Sequence, residues 1–169
     1  MSLLLMLRIQ SALASTSEHT PWFIKSPNGV YKAQVIGIGY DNVERAYDIV
    51  KIFKGGDEIS EDQLTRNSSG MARAVYDAKW SPNSRFFVFL TKYCAGHSIW
   101  HSPTTIYDSK TNIYWELDDY IGAIVDEKVR FTGEDTLKIQ VINPKDGNTA
   151  PPITKEISLS KFIKSESPH

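Results

Sequence analysis

Cys94, His97, Trp100 and His101 fall within eight residues and form the densest group of reactive side chains in this 169-residue chain. Their spacing is C-x2-H-x3-H. A thiolate and two imidazoles are good zinc ligands, so the first chemistry the pattern offers is metal chelation. A structural zinc site closes with a fourth protein ligand, and none stands close in the sequence. The second chemistry is nucleophilic, with Cys94 activated by His97, but nothing adjacent supplies an orienting group or oxyanion donors. The third is recognition, with Trp100 as an aromatic anchor between imidazoles. Trp100, His97 and His101 are therefore the candidate binding residues, and Cys94, His97 and His101 are the alternative metal set. No catalytic residue is assigned and no cofactor is expected.

Other signals are local. Gly37-Ile38-Gly39 lacks the third glycine of a dinucleotide fingerprint and reads as a strand end or bulge. Asp118-Asp119 and Asp126-Glu127 match no calcium-loop spacing and read as solvated turns. Asn67-Ser68-Ser69 is a glycosylation sequon, meaningful only in a secreted eukaryotic protein.

The elements that must position these residues repeat. Ser26-Pro27-Asn28-Gly29 returns as Ser81-Pro82-Asn83-Ser84, and Thr132-Gly133-Glu134-Asp135 is a degenerate third copy. Each precedes an apolar run, and the spacings are 55 and 51 residues. Self-similarity at this period points to stacked β units of about four strands each. Proline suits the second position of such turns, and the following asparagine tolerates unusual φ. The runs 31–37, 46–53, 74–80, 85–90, 104–108, 113–117, 137–142 and 153–159 are rich in β-branched and aromatic residues and read as strands. The run 85–90 is continuously apolar after Arg85, as in a strand covered on both faces. Alternation in 137–142 predicts one wet face. Residues 58–70 read as a polar loop, with one helical turn at 61–64 as an option. Trp80 and Trp115 read as core.

The phrase Trp80-Ser81-Pro82-Asn83-Ser84-Arg85-Phe86-Phe87-Val88-Phe89, followed by Thr105-Ile106-Tyr107-Asp108 and a Lys-Thr turn, resembles a β-propeller blade of the WD40-like or TolB type. The resemblance spans about 140 residues and is strongest over 75–117. It implies an all-β fold of three propeller-blade-like antiparallel units, arranged as a partial propeller or an open β-sandwich. Closed propellers have four to eight blades, so about three units leave exposed edges that pair with another molecule or another copy. The Gly-His and Trp-Asp marks of true WD40 repeats are absent.

Composition narrows the classes further. Hydrophobic residues make up 41%, charged residues 23%, and the net charge is −1, which suits a globular domain and lacks the basic excess of nucleic-acid binders. One cysteine allows no intrachain disulfide. No run reaches the length of a spanning helix. The N-terminal run Leu3-Leu4-Leu5-Met6-Leu7 and Ala12-Leu13-Ala14 carry a weak export signal, interrupted by Arg8, so a cytoplasmic location is slightly favoured over export. The expected organisation is an N-terminal segment 1–20, one β-repeat domain 21–163 and a frayed tail 164–169. The expected function is a non-enzymatic binding or scaffold module for a protein or peptide. The alternatives are a hydrolase or metal-dependent enzyme centred on Cys94, His97 and His101, or an accessory piece of a larger propeller enzyme.

Overall fold

The computed structural model describes residues 19–38, 47–62, 73–93, 101–142 and 151–166. These form an all-β architecture of three antiparallel sheets, with no closed barrel. Sheet one contains β1 (His19–Lys25), β2 (Tyr31–Ile38), β3 (Tyr47–Lys54) and β4 (Asp57–Asp62), in that spatial order. Sheet two repeats the meander with β5 (Arg73–Trp80), β6 (Phe86–Tyr93), β7 (Thr104–Asp108) and β8 (Ile113–Glu116). Sheet three has three strands, β9 (Arg130–Phe131), β10 (Thr136–Val141) and β11 (Ile153–Ser158). A short helix α1 (Asp118–Ile121) follows β8, and α2 (Leu159–Glu166) follows β11.

The repeated turns use the same bonds. The Ser26 hydroxyl accepts the Tyr31 N–H at 2.9 Å, and the Ser81 hydroxyl accepts the Phe86 N–H at 2.9 Å. Asn28 Oδ1 accepts the Val30 N–H, and Asn83 Oδ1 accepts the Arg85 N–H. Gly29 turns with φ 72°, while Ser84 holds the same left-handed conformation at φ 62°. The cost of that conformation for a residue with a Cβ is offset here, because the Ser84 hydroxyl accepts the Asn28 N–H at 3.0 Å. The Asn83 N–H in turn donates to the Glu134 carbonyl at 3.2 Å. The three turns therefore line up at one end of the molecule, each bonded to the next.

Two apolar seams join the sheets. Phe87, Phe89 and Tyr107 of sheet two meet Ala33, Val35, Val50 and Ile52 of sheet one, with Trp80 between them. Phe86, Val88, Leu90 and Ile106 face the other way, onto Leu137, Ile139 and Val141 of sheet three and Leu159 and Ile163 of α2. Sheet two is thus the middle layer, which is why every residue of β6 from Phe86 to Thr91 is buried. The alternation of β10 places Leu137, Ile139 and Val141 inside and leaves Thr136, Lys138 and Gln140 half-buried.

Several expectations change. Residues 57–62 form β4, so Glu61 and Asp62 are strand residues and not a helical turn. Lys51 holds both Glu58 and Glu61 at 3.0 Å, which stabilises an acid-rich strand of low intrinsic β propensity. The broken alternation around Tyr76 is a bulge between Val75 and Asp77. Leu159 leaves β11 and begins α2, and Lys164 continues that helix instead of starting a frayed tail. Leu159 and Ile163 stand one helical turn apart and bury in the second seam. Trp80 is core in the first seam at 3% exposure, whereas Trp115 is half-buried against the second seam. No helix among the described residues is long and apolar enough to cross a membrane.

Candidate functional site

The seam between sheets one and two is apolar at the turn end and polar at the other. Moving along sheet two from Trp80, the residues facing sheet one become Thr91, Thr105, Arg73 and Glu116. Strand periodicity sets this pattern: Arg73 shares the face of Val75, and Tyr93 pairs with Arg73 in the register. Glu116 pairs with Thr105 at the far edge of the sheet. Sheet one contributes Asp48 and Asp62, both buried, and the Asp48 carboxylate accepts the Val75 N–H at 2.6 Å.

Arg73 is the centre of the group. Its side chain is 7% exposed, and Nη1 donates to Glu116 Oε2 at 3.2 Å. The guanidinium lies 5.7 Å from the Tyr93 ring centroid, within reach of a cation–π attraction. Tyr93 meets the His101 ring edge-on at 6.3 Å. Burial lowers the His101 pKa, and the nearby Arg73 charge lowers it further, so this imidazole is neutral at pH 7. Tyr114, one residue before Trp115, is held protonated by burial. Among the described residues, Arg73 Nε and Glu116 Oε1 are buried without a hydrogen-bond partner. A buried ion pair with idle donors and acceptors is costly unless something completes it.

The expected binding residues divide here. His101 lies in this group. Cys94, His97 and Trp100 lie outside the described residues, as do Gly39 and the Asn67 sequon. The chain leaves the described residues at Tyr93 and re-enters at His101, both at the polar end of the seam. Among the described residues no three His, Cys, Asp or Glu side chains form a group suited to a metal.

The second seam also has a polar end, and it corrects the solvated-turn reading for Asp118 and Asp126, whereas Asp119 and Glu127 are exposed as that reading expects. Asp126 is 2% exposed, and its carboxylate binds Arg130 and the Gln140 N–H. The Tyr76 hydroxyl lies 2.7 Å from both the Ser102 hydroxyl and the Asp126 carbonyl. Asp118 accepts the Thr104 N–H at 2.7 Å and the Ile124 N–H at 3.1 Å, clamping the start of β7 to the link that enters sheet three. Sequence reading missed these roles because both carboxylates find their partners far along the chain. Arg73 was missed as well, although its two-residue spacing from Val75 was a usable signal for an inward-facing charge.

Burial pushes the Asp118 carboxyl up to about 6, against the pull of the two N–H groups, and the Glu116 charge adds to the rise. The folded chain therefore holds this proton more tightly than the unfolded chain. Stability from this group is greatest below about pH 4, falls as pH rises through about 6, and is level above that. The span is about 2–3 kcal/mol. Urea unfolding of wild type and Asp118→Asn across this range gives a stability difference that shifts toward wild type as pH falls. A pH-independent difference contradicts the assignment.

No protein-family profile matches the chain, and no curated protein matches it. Among solved structures it is similar to the apo AtxE2 isopeptidase, with a TM-score of 0.46 and 14% identity. The match covers 92% of this chain and 32% of that one, so the chain spans about a third of that protein's length. A likeness of this size carries no argument about chemistry.

Proposed function

We propose that the chain is a non-enzymatic binding module of blade-like sheets that recognises a protein or peptide segment at the polar end of the first seam. The observation that carries this reading is the buried Arg73–Glu116 pair, whose Nε and Oε1 have no partner among the described residues. Nε is a donor and Oε1 an acceptor, the two functions that a peptide group or a side-chain amide complements. Neutral His101 and the Tyr93 ring stand beside them, and Tyr93 and His101 flank in sequence the segment that carries Cys94, His97 and Trp100. Trp100 is the aromatic anchor in this reading, with His97 and His101 as its polar neighbours. The sheets act as a rigid frame, and the loops carry recognition. The three-unit meander with bonded Ser-Pro-Asn turns supports kinship with propeller blades.

The test starts from peptides selected on the immobilised full chain from a random display library. Trp100→Ala and His101→Ala should each weaken the selected peptides by about tenfold or more. Their melting temperatures should stay close to that of wild type. Equal affinities in both variants overturn the reading, and a large fall in melting temperature on Trp100→Ala makes that residue core and removes it from the site.

A further inference from the structure

A second surface lies at the opposite end of sheet one, independent of the strand-end site. A pocket of about 510 Å³ opens beside the first Ser-Pro-Asn turn and the β3–β4 hairpin. Its charged lining residues are Lys25, Lys32 and Lys54, and no acidic side chain lines it. Phe53 and Val30 form part of its apolar wall, and Val30 is 43% exposed.

The lysines are arranged in a way that folding alone does not reward. Lys25 and Lys32 stand directly opposite each other on β1 and β2, where like charges destabilise a sheet. None of the three takes part in an ion pair among the described residues, although Asp57 stands opposite Lys54 in the register. Lys51 behaves differently and is claimed by Glu58 and Glu61. Two of these three ammonium groups, those of Lys32 and Lys54, rest on aromatic faces instead. Lys32 Nζ lies 4.8 Å from the Phe23 centroid and 4.7 Å from that of Phe53, and Lys54 Nζ lies 5.7 Å from that of Tyr31. Ring faces hold the cations in place without neutralising them. The hairpin turn is Gly55-Gly56, both at positive φ, and a Cβ at either would meet nothing within 4 Å. Another backbone can therefore approach the rim closely.

We propose that this pocket binds an acidic peptide segment that carries an apolar side chain. Its carboxylates would sit against Lys25, Lys32 and Lys54, and its apolar group against Phe53 and Val30. Charge complementarity selects the partner, because this cluster of unpaired positive charge lies on a chain whose net charge is −1. A peptide fits better than a nucleic acid. Three lysines around an apolar pocket make a small, local footprint, whereas a phosphate backbone needs an extended basic track.

The probe is a fluorescein-labelled peptide that alternates glutamate with phenylalanine, followed by anisotropy on the full chain. Binding should saturate and weaken as salt is raised. Lys32→Glu and Lys54→Glu should each weaken it by about tenfold or more. Lys32→Ala should weaken it less, whereas Lys79→Glu, an exposed change on sheet two, and His101→Ala should leave it unchanged. Circular dichroism confirms that each variant is folded. The proposal is overturned if binding does not saturate or if the Lys32 and Lys54 variants match wild type. It is also overturned if a single-stranded oligonucleotide binds the same residues more tightly, which makes the patch a general polyanion surface.

Discussion

Trp80→Ala is expected to cost about 4 kcal/mol of stability, the largest loss among single changes in the first seam. Trp80 is 3% exposed and joins two sheets. Its ring stacks on Tyr31 at 5.6 Å, lies 5.1 Å from Phe87 and meets Tyr107 edge-on at 6.4 Å. Its indole N–H donates to the Ile24 carbonyl at 3.1 Å, across to β1. Alanine empties this space and strands that carbonyl, so transfer, cavity and hydrogen-bond losses act together. Urea unfolding measures the change. A loss under about 1 kcal/mol means that sheets one and two do not depend on this contact.

Asp108→Ala should be nearly as damaging, at about 3 kcal/mol or more. Asp108 is fully buried at the end of β7. Its two oxygens accept Arg85 Nε and Nη2, each at 2.8 Å, a paired geometry that holds the guanidinium rigidly. The same carboxylate accepts the Lys110 N–H at 3.0 Å and lies 3.2 Å from the Thr111 hydroxyl, so it also shapes the β7–β8 turn. Arg85 reaches on to the Ser160 hydroxyl of α2 at 3.2 Å. Removing Asp108 leaves Arg85 without its counterion and loosens the turn and the helix contact together. Asp108→Asn retains part of the hydrogen bonding and should lose less. Equal stability of Asp108→Ala and wild type in urea contradicts this account.

The sequence was most legible where residue type alone decides the bonds. Ser26 and Ser81, with Asn28 and Asn83, close their turns through their own side chains, so two short phrases forecast two equivalent turns. The run after Arg85 forecast a strand covered on both faces for the same reason: its residues have no polar side to show. Legibility failed where distant partners decide. β4 reads as a loop because its acidic residues are strand-forming only beside Lys51. α2 escaped notice because eight residues carry little periodicity, and Leu159 and Ile163 matter only once sheet three lies beneath them. Asp118 and Asp126 look like surface acids in the sequence. Their burial follows from backbone N–H groups of Thr104, Ile124 and Gln140 that the fold brings to them. His101, singled out by its chemistry, lies beside Tyr93 in this polar group, whereas Arg73 and Glu116 escaped notice, since no local pattern marks an ion pair that joins the two edge strands of a sheet.

The outer sheets present different faces. The interior strand of sheet three, β10, turns the half-buried Thr136, Lys138 and Gln140 to the face away from the second seam. Sheet one instead turns out Phe23, at 52% exposure, beside Lys25, Lys32 and Phe53. The two ends of the first seam differ as well. The turn end is occupied by geometry and carries the basic pocket on its outer side, while the loop end holds the buried ion pair and the imidazole.

Hydrogen exchange on the full chain, with and without a peptide selected for binding, tests the assignment of the recognition site most directly. The account predicts new protection at Tyr93, His101 and the flanking ends of β5 and β8, with exchange unchanged at the turns 26–29 and 81–84. Protection confined to those turns, or to the outer face of sheet one, contradicts it.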